Sequence, residues 1–72
     1  VQALHERYAQ DLRQAKQIPM KLERYAAVDA LGARIAAEMV PAEPAEGAPT
    51  AAGVKRAYYQ LQERVVREMI LD

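Results

Sequence analysis

Apolar residues recur at helical spacing in three stretches of the chain. In the first stretch they stand three or four positions apart, which places them on one side of a helix. Polar residues fill the positions between them. The pattern predicts a first helix over residues 2–17, with an apolar stripe made of Val1, Leu4, Tyr8, Leu12 and Ala15.

The second stretch begins after the interruption Gln-Ile-Pro-Met. Pro19 lacks an N–H and disfavours helical conformation at Ile18, but proline is well accommodated in the first turn of a helix. We therefore expect a second helix over residues 19–40, antiparallel to the first because the connection is short. A single helix kinked at Pro19 is the alternative. The expected apolar face is Leu22, Tyr25, Val28, Leu31, Gly32, Ile35, Ala36 and Met39, and beside it runs a row of small residues, Ala26, Ala30, Ala33 and Ala37.

The third stretch predicts a helix over residues 51–72. Thr50 stands just before it, and its hydroxyl can accept a hydrogen bond from a free N–H of the first turn. Two apolar stripes lie about 100° apart around this helix. The main stripe is Val54, Tyr58, Leu61, Val65 and Met69, and the second is Tyr59, Val66 and Ile70.

Residues 41–50 separate the second and third helices and are rich in Pro, Ala and Glu. Such a segment could divide two independent units, tether them, or form a long loop inside one bundle. Helices two and three are each apolar over about half their surface, so each needs a partner within the chain. We predict an all-α, small antiparallel three-helix bundle. Residues 1–72 form a single helical domain or a segment of a longer protein, and residues 41–50 form a flexible loop.

The composition excludes several classes of function. Ten basic residues balance ten acidic residues, so the chain gains no long-range attraction to nucleic acid or anionic lipid. There is no cysteine and no apolar run long enough for a membrane span, which favours a cytoplasmic location. No catalytic, metal or cofactor motif is present, and no small-molecule substrate is evident. We therefore predict that the protein is not an enzyme.

Histidine and tyrosine are the two residue types that could carry chemistry in this chain. His5 has Tyr8 and Ala9 at the positions where a second metal ligand would stand, so it is expected to be a partly exposed helix residue. The four tyrosines could form a stacking platform for bases. Three of them, Tyr8, Tyr25 and Tyr58, fall on apolar stripes, however, and are expected in the core, whereas Tyr59 lies off the main stripe.

The leading hypothesis is a helical protein–protein interaction or assembly module, by analogy with bacterial adaptors. Its partner would be another protein or a second copy, and we expect a twofold homodimer through apolar surface left uncovered. Small residues on the second helix either allow close approach of a partner or merely favour helix. The expected partner-binding residues are Tyr59, Val66, Ile70, Leu71, Ala26, Ala30, Ala33 and Ala37.

Two alternatives stay open. The first is a small nucleic-acid-binding domain that uses the basic face of the third helix. Its residues would be Lys55, Arg56, Arg64 and Arg67, although Glu63 and Glu68 can neutralise that face through pairs four residues apart. Nucleic acid is not the expected partner for this reason. The second alternative is a purely structural helical segment of a larger protein.

Overall fold

The computed structural model describes residues 2–43 and 45–71, so the predictions made for Val1, Pro44 and Asp72 lie outside the described residues. Three α-helices account for most of the chain: α1 (Gln2–Lys16), α2 (Lys21–Met39) and α3 (Ala51–Leu71). They pack against one another, and the described residues include no strand. The predicted all-α three-helix bundle is confirmed. None of the described helices has the length and apolar character needed to cross a bilayer.

The connection between α1 and α2 excludes Pro19 from both helices. The last turn of α1 tightens, with the N–H groups of Gln17 and Ile18 bonding carbonyls three residues back. Met20 is extended (φ −78°, ψ 121°) and caps α2, which therefore begins at Lys21, two residues later than predicted. The Arg24 guanidinium donates to the Ile18 carbonyl at 3.1 Å and so satisfies an acceptor that the broken helix leaves free.

The core is formed by one apolar stripe from each helix. In α1 and α3 the buried residues are those of the predicted main stripes, and Met69 packs partly buried at the end of α3. In α2 the buried stripe is shorter than predicted and starts at Val28. The buried residues are Leu4, Tyr8, Leu12, Ala15, Val28, Leu31, Ile35, Val54, Tyr58, Leu61 and Val65.

The prediction placed Leu22 and Tyr25 on the core face of α2, and the structure exposes both, Leu22 at 82% and Tyr25 at 53%. The reason lies in the spacing. Leu22, Tyr25, Val28 and Leu31 are joined by three successive steps of three residues. Each such step falls about 60° short of a full turn, so the row rotates by about 180°. Leu22 therefore points away from the core that Leu31 enters.

The hairpin of α1 and α2 is antiparallel, as predicted. Tyr8 of α1 donates to Glu38 near the end of α2, and Asp11, further along α1, accepts at 2.8 Å from Arg34, which lies earlier in α2. Helix α3 lies across this hairpin. Its first half packs on α2 through Tyr58, while its second half reaches α1 through bonds at Gln62 and Glu68.

A glycine sets how closely α3 approaches α2. A Cβ atom added at Gly32 would lie 2.7 Å from Cε2 of Tyr58. The absence of a side chain at Gly32 therefore lets the ring approach α2 closely. In that position the Tyr58 hydroxyl donates to the Val28 carbonyl at 2.6 Å.

The segment between α2 and α3 contains no helix among its described residues. Val40 is extended ahead of Pro41, as a residue before proline prefers, and Gly47 turns the chain at φ 78°. The predicted N-cap is confirmed, because the Thr50 hydroxyl accepts from the Gly53 N–H at 3.1 Å. The predicted flexibility of residues 41–50 stays a prediction.

Candidate functional site

The four tyrosines divide into a buried pair and an exposed pair. Tyr8 and Tyr58 are buried, and each hydroxyl has a partner inside the bundle. The hydrogen bond to Glu38 raises the pKa of Tyr8, and burial raises the pKa of Tyr58 to about 12. Tyr25 and Tyr59 are instead 53% and 56% exposed. Two aromatic rings are therefore available to a ligand.

The exposed pair shares one groove. Tyr25 comes from α2 and Tyr59 from α3, and the end of α1 closes the groove with Lys16. The groove encloses about 330 Å³, at the lower end of the usual range for ligand pockets. Its lining is Lys16, Arg24, Tyr25, Val28, Asp29, Tyr59 and Gln62.

Cations surround the Tyr25 end of this groove. The Lys21 Nζ atom lies 5.8 Å from the centroid of the Tyr25 ring, and the Arg24 Cζ atom lies 5.7 Å from it. These distances permit cation–π attraction. Lys16 Nζ donates to the amide oxygen of Gln62 at 3.1 Å, which uses one of the three donors of the ammonium group. The groove therefore combines aromatic surface with positive charge that can still bind an anion.

Most of the cations on the basic face of α3 are not paired with a carboxylate of the described residues. Lys55, Arg56 and Arg67 are exposed, and within the described part of the chain none of them forms a hydrogen bond or an ion pair. Arg64 lies 3.9 Å from Glu68, which is the predicted pair. The other predicted pair, between Glu63 and Arg67, does not form. Three of the four candidate cations are thus free to meet an external anion.

Besides Arg64, Glu68 also contacts residues of α1. Its carboxylate lies 2.9 Å from His5 Nε2 and 3.8 Å from Arg13 Nη2. The hydrogen bond from His5 is the main cause that lowers the pKa of Glu68. His5 therefore ties the two helices together. Among the described residues, no cluster of His, Asp and Glu is arranged to hold a metal ion.

The predicted partner-binding residues do not form one surface. Tyr59, Val66, Ile70 and Leu71 are exposed together along a shallow groove of about 630 Å³ on α3, which Lys16 and Arg67 also line. The alanine row lies on the exposed side of α2, opposite its buried stripe, and lines none of that groove. The row Ala26, Ala30, Ala33 and Ala37 is therefore separate from the α3 residues.

Sequence reasoning overlooked the α2 side of the tyrosine groove. Tyr25 was assigned to the core, and Lys16, Lys21 and Arg24 were not considered. The row from Leu22 to Leu31 rotates around the helix, and this rotation could have predicted that Tyr25 is exposed. Nothing local in the sequence indicates that Lys16 and Tyr59 meet, since they lie on different helices far apart in the chain.

Comparison with known proteins gives a family. A family model described as polyribonucleotide nucleotidyltransferase, RNA binding domain, matches residues 1–72. The chain is similar to proteins named polyribonucleotide nucleotidyltransferase from Methylobacterium sp. strain 4-46 at 47% identity, Beijerinckia indica subsp. indica at 44% and Mesorhizobium japonicum at 42%. Each similarity covers 86% of this chain but only 8% or 9% of the relative. No solved structure matches the chain.

These findings correct the predicted function. The prediction of a protein-interaction or assembly module with an adaptor role is wrong, because the matching family model is described as an RNA binding domain. The match does not test the predicted homodimer. The nucleic-acid-binding alternative is the one they favour. The prediction against nucleic acid as a partner failed because a net charge of zero is a whole-chain average. It does not reveal that Lys55, Arg56 and Arg67 stand unpaired on one helix.

The prediction that the protein is not an enzyme is also contradicted. The relatives carry the name of an enzyme, and the chain spans about 8% of the length of most of them. The prediction rested on the lack of a catalytic motif within 72 residues. The lack of a catalytic motif cannot exclude an enzyme, because the catalytic residues can lie in other segments of it.

Proposed function

The chain belongs to the family of polyribonucleotide nucleotidyltransferase RNA binding domains, and on that premise we propose that it binds RNA as a segment of such an enzyme. Its part is to hold the polyribonucleotide by the backbone. We assign no catalytic group to these 72 residues. A polyribonucleotide nucleotidyltransferase acts on polyribonucleotides. Because bacterial polyribonucleotides lie in the cytoplasm, we propose a cytoplasmic location for the chain.

The observation that carries the proposal is the set of unpaired cations on α3. Lys55, Arg56 and Arg67 are exposed and have no carboxylate partner among the described residues. Phosphate contacts by lysine and arginine supply most of the sequence-independent affinity of a protein for nucleic acid. Arg64 is the weakest of the four candidates, because Glu68 already lies beside it.

The salt dependence of binding tests this proposal. For single-stranded RNA, the logarithm of affinity falls with the logarithm of salt concentration at a slope of about −0.7 for each phosphate contact. We expect the combined change of Lys55, Arg56 and Arg67 to glutamine to weaken binding of a short single-stranded RNA. It should also make the slope less steep by about 2, since about three contacts are lost. Fluorescence anisotropy of a labelled oligonucleotide measures both.

A matched control removes charge from another side of the bundle. Arg7 and Arg34 lie near the Tyr8 ring on the α1–α2 side, and Arg34 pairs with Asp11 at an exposed position. Changing both to glutamine should leave the slope on salt unchanged. An equal effect of the two sets of changes would contradict a site on α3. The absence of any binding of RNA by the unchanged chain at low salt would contradict the proposed function itself.

A further inference from the structure

We propose that the groove between Tyr25 and Tyr59 holds an unpaired base of single-stranded RNA, stacked on one or both rings. This inference rests on the proposed function and adds to it: α3 holds the phosphates, and the groove selects strands whose bases are free. It therefore assigns a base-binding site, separate from the phosphate contacts, to residues of α2 and α3.

The exposure of the two rings is the first argument. Tyrosine buries a large apolar area when it can, and Tyr8 and Tyr58 do so here. Tyr25 and Tyr59 leave more than half their surface in solvent, although they come from different helices and line the same groove. Every base has an aromatic face, so exposed rings of this kind bind single strands with little dependence on sequence.

The charges at the groove are the second argument. Lys16 and Arg24 line the groove, and Lys21 and Arg24 lie within 6 Å of the Tyr25 ring centroid. A stacked nucleotide carries a phosphate on either side of its sugar, so cations beside a stacking ring suit it. The contact of Arg24 with the Ile18 carbonyl also orients the guanidinium beforehand.

Asp29 gives the groove a hydrogen-bond acceptor that suits a base edge better than a phosphate. Its carboxylate lines the groove and lies near enough to Tyr58 to raise the pKa of that phenol further. A phosphate placed beside Asp29 would be repelled. A base edge would not be, since its amino group can donate to a carboxylate. The groove thus offers a carboxylate to a base edge and, at Lys16 and Arg24, cations to the adjoining phosphates.

Continuity with the basic face of α3 is the third argument. Lys55 and Tyr59 are one helical turn apart, and both line an adjoining cavity of about 300 Å³. A strand whose base rests on Tyr59 can therefore continue past Lys55 towards Arg56. The stacking groove and the phosphate contacts form one path over α2 and α3.

The test compares a normal single strand with one that lacks bases. The ligands are a short oligocytidine and an abasic oligonucleotide of equal length, each labelled for anisotropy, and the protein is the 72-residue chain. We expect Tyr59→Ala and Tyr25→Ala each to weaken oligocytidine binding about tenfold. Tyr59→Phe and Tyr25→Phe keep the ring and should stay within about twofold of the unchanged chain. Abasic binding should be weaker throughout and insensitive to all four changes.

Two further variants serve as controls for loss of exposed apolar surface. Ile70→Ala on α3 and Leu22→Ala on α2 remove exposed side chains of similar character, and neither residue lines the groove. Both should leave oligocytidine affinity unchanged. Circular dichroism of each variant checks that helix content is preserved, so that a loss of binding is not a loss of fold.

The outcomes separate the inference from the proposed function. If oligocytidine binds and the alanine changes at Tyr25 and Tyr59 have no effect, stacking is overturned while phosphate binding stands. Equal affinity for the abasic strand would overturn stacking in the same way. If neither ligand binds at low salt, the proposed function fails, and the stacking inference fails with it.

Discussion

Tyr58 and Tyr59 are neighbours in the chain and have opposite surroundings. Tyr58 is 8% exposed, lies on Gly32 and donates to the Val28 carbonyl, whereas Tyr59 is 56% exposed in a groove lined by Lys16 and Asp29. One residue step turns a helix by about 100°, which suffices to move a ring from the core to the surface. The same residue type thus holds the fold together on one side of α3 and is available to a ligand on the other.

The largest expected effect separates the two tyrosines by stability. Tyr58→Ala should lower the free energy of unfolding by about 3–5 kcal/mol, because it leaves a cavity against Gly32 and removes a buried ring. Tyr59→Ala should change it by less than about 0.5 kcal/mol, as is usual for exposed positions. Urea denaturation followed by circular dichroism measures both. Similar losses for the two variants would show that Tyr59 also belongs to the core.

A second prediction concerns the contact that seats Tyr58. Gly32→Ala places a Cβ 2.7 Å from the ring, and overpacking of this kind costs about 1–3 kcal/mol. Alanine regains about 1 kcal/mol as the better helix former, so we expect a net loss of about 1 kcal/mol. In a Tyr58→Ala background the clash is gone, and the same change should stabilise the protein instead. A loss in both backgrounds would contradict the contact.

The third prediction uses the raised pKa of Tyr58, which is about 12 in the folded protein against an ordinary value of 10.0. The folded state holds this proton more tightly than the unfolded state. Its contribution to stability is therefore complete below pH 10 and is lost as the pH rises towards 12. Tyr58→Phe should remove this part of the alkaline loss, and Tyr59→Phe should not. Urea midpoints between pH 9 and 12 decide the matter.

The smallest expected effect concerns Asp29. The carboxylate can accept from the amino group of cytosine but not from the carbonyl that uracil carries in the same place. One hydrogen bond near solvent predicts about a threefold preference for oligocytidine over oligouridine. Asp29→Asn should remove the preference, since an amide can donate as well as accept. A preference that survives this change would place the base elsewhere.

Much of the fold could be read from the sequence because its helices are amphipathic. Steps of three and four are mixed in α1 and α3, which keeps the stripes from Leu4 to Ala15 and from Val54 to Val65 on the core side. Pro19, Pro41 and Thr50 predicted the helix bounds to within two residues. The error at Leu22 and Tyr25 arose where successive steps of three turned the row away from the core.

The candidate site was much less accessible to sequence reasoning. The four cations of α3 could be identified because they lie on one helix. Only the structure shows that Arg64 pairs with Glu68, whereas Lys55, Arg56 and Arg67 have no carboxylate partner among the described residues. The tyrosine groove depends on how α3 crosses the hairpin. Residues 25 and 59 meet through tertiary packing, for which no local pattern exists.

The most direct test of the account is nuclear magnetic resonance of the tyrosine rings during titration with oligocytidine. Two rings line the groove and two are in the core, so the protein supplies its own control. The account predicts that the ring signals of Tyr25 and Tyr59 shift with bound RNA, while those of Tyr8 and Tyr58 stay in place. Shifts confined to the alanine row of α2, or equal shifts at all four rings, would contradict it.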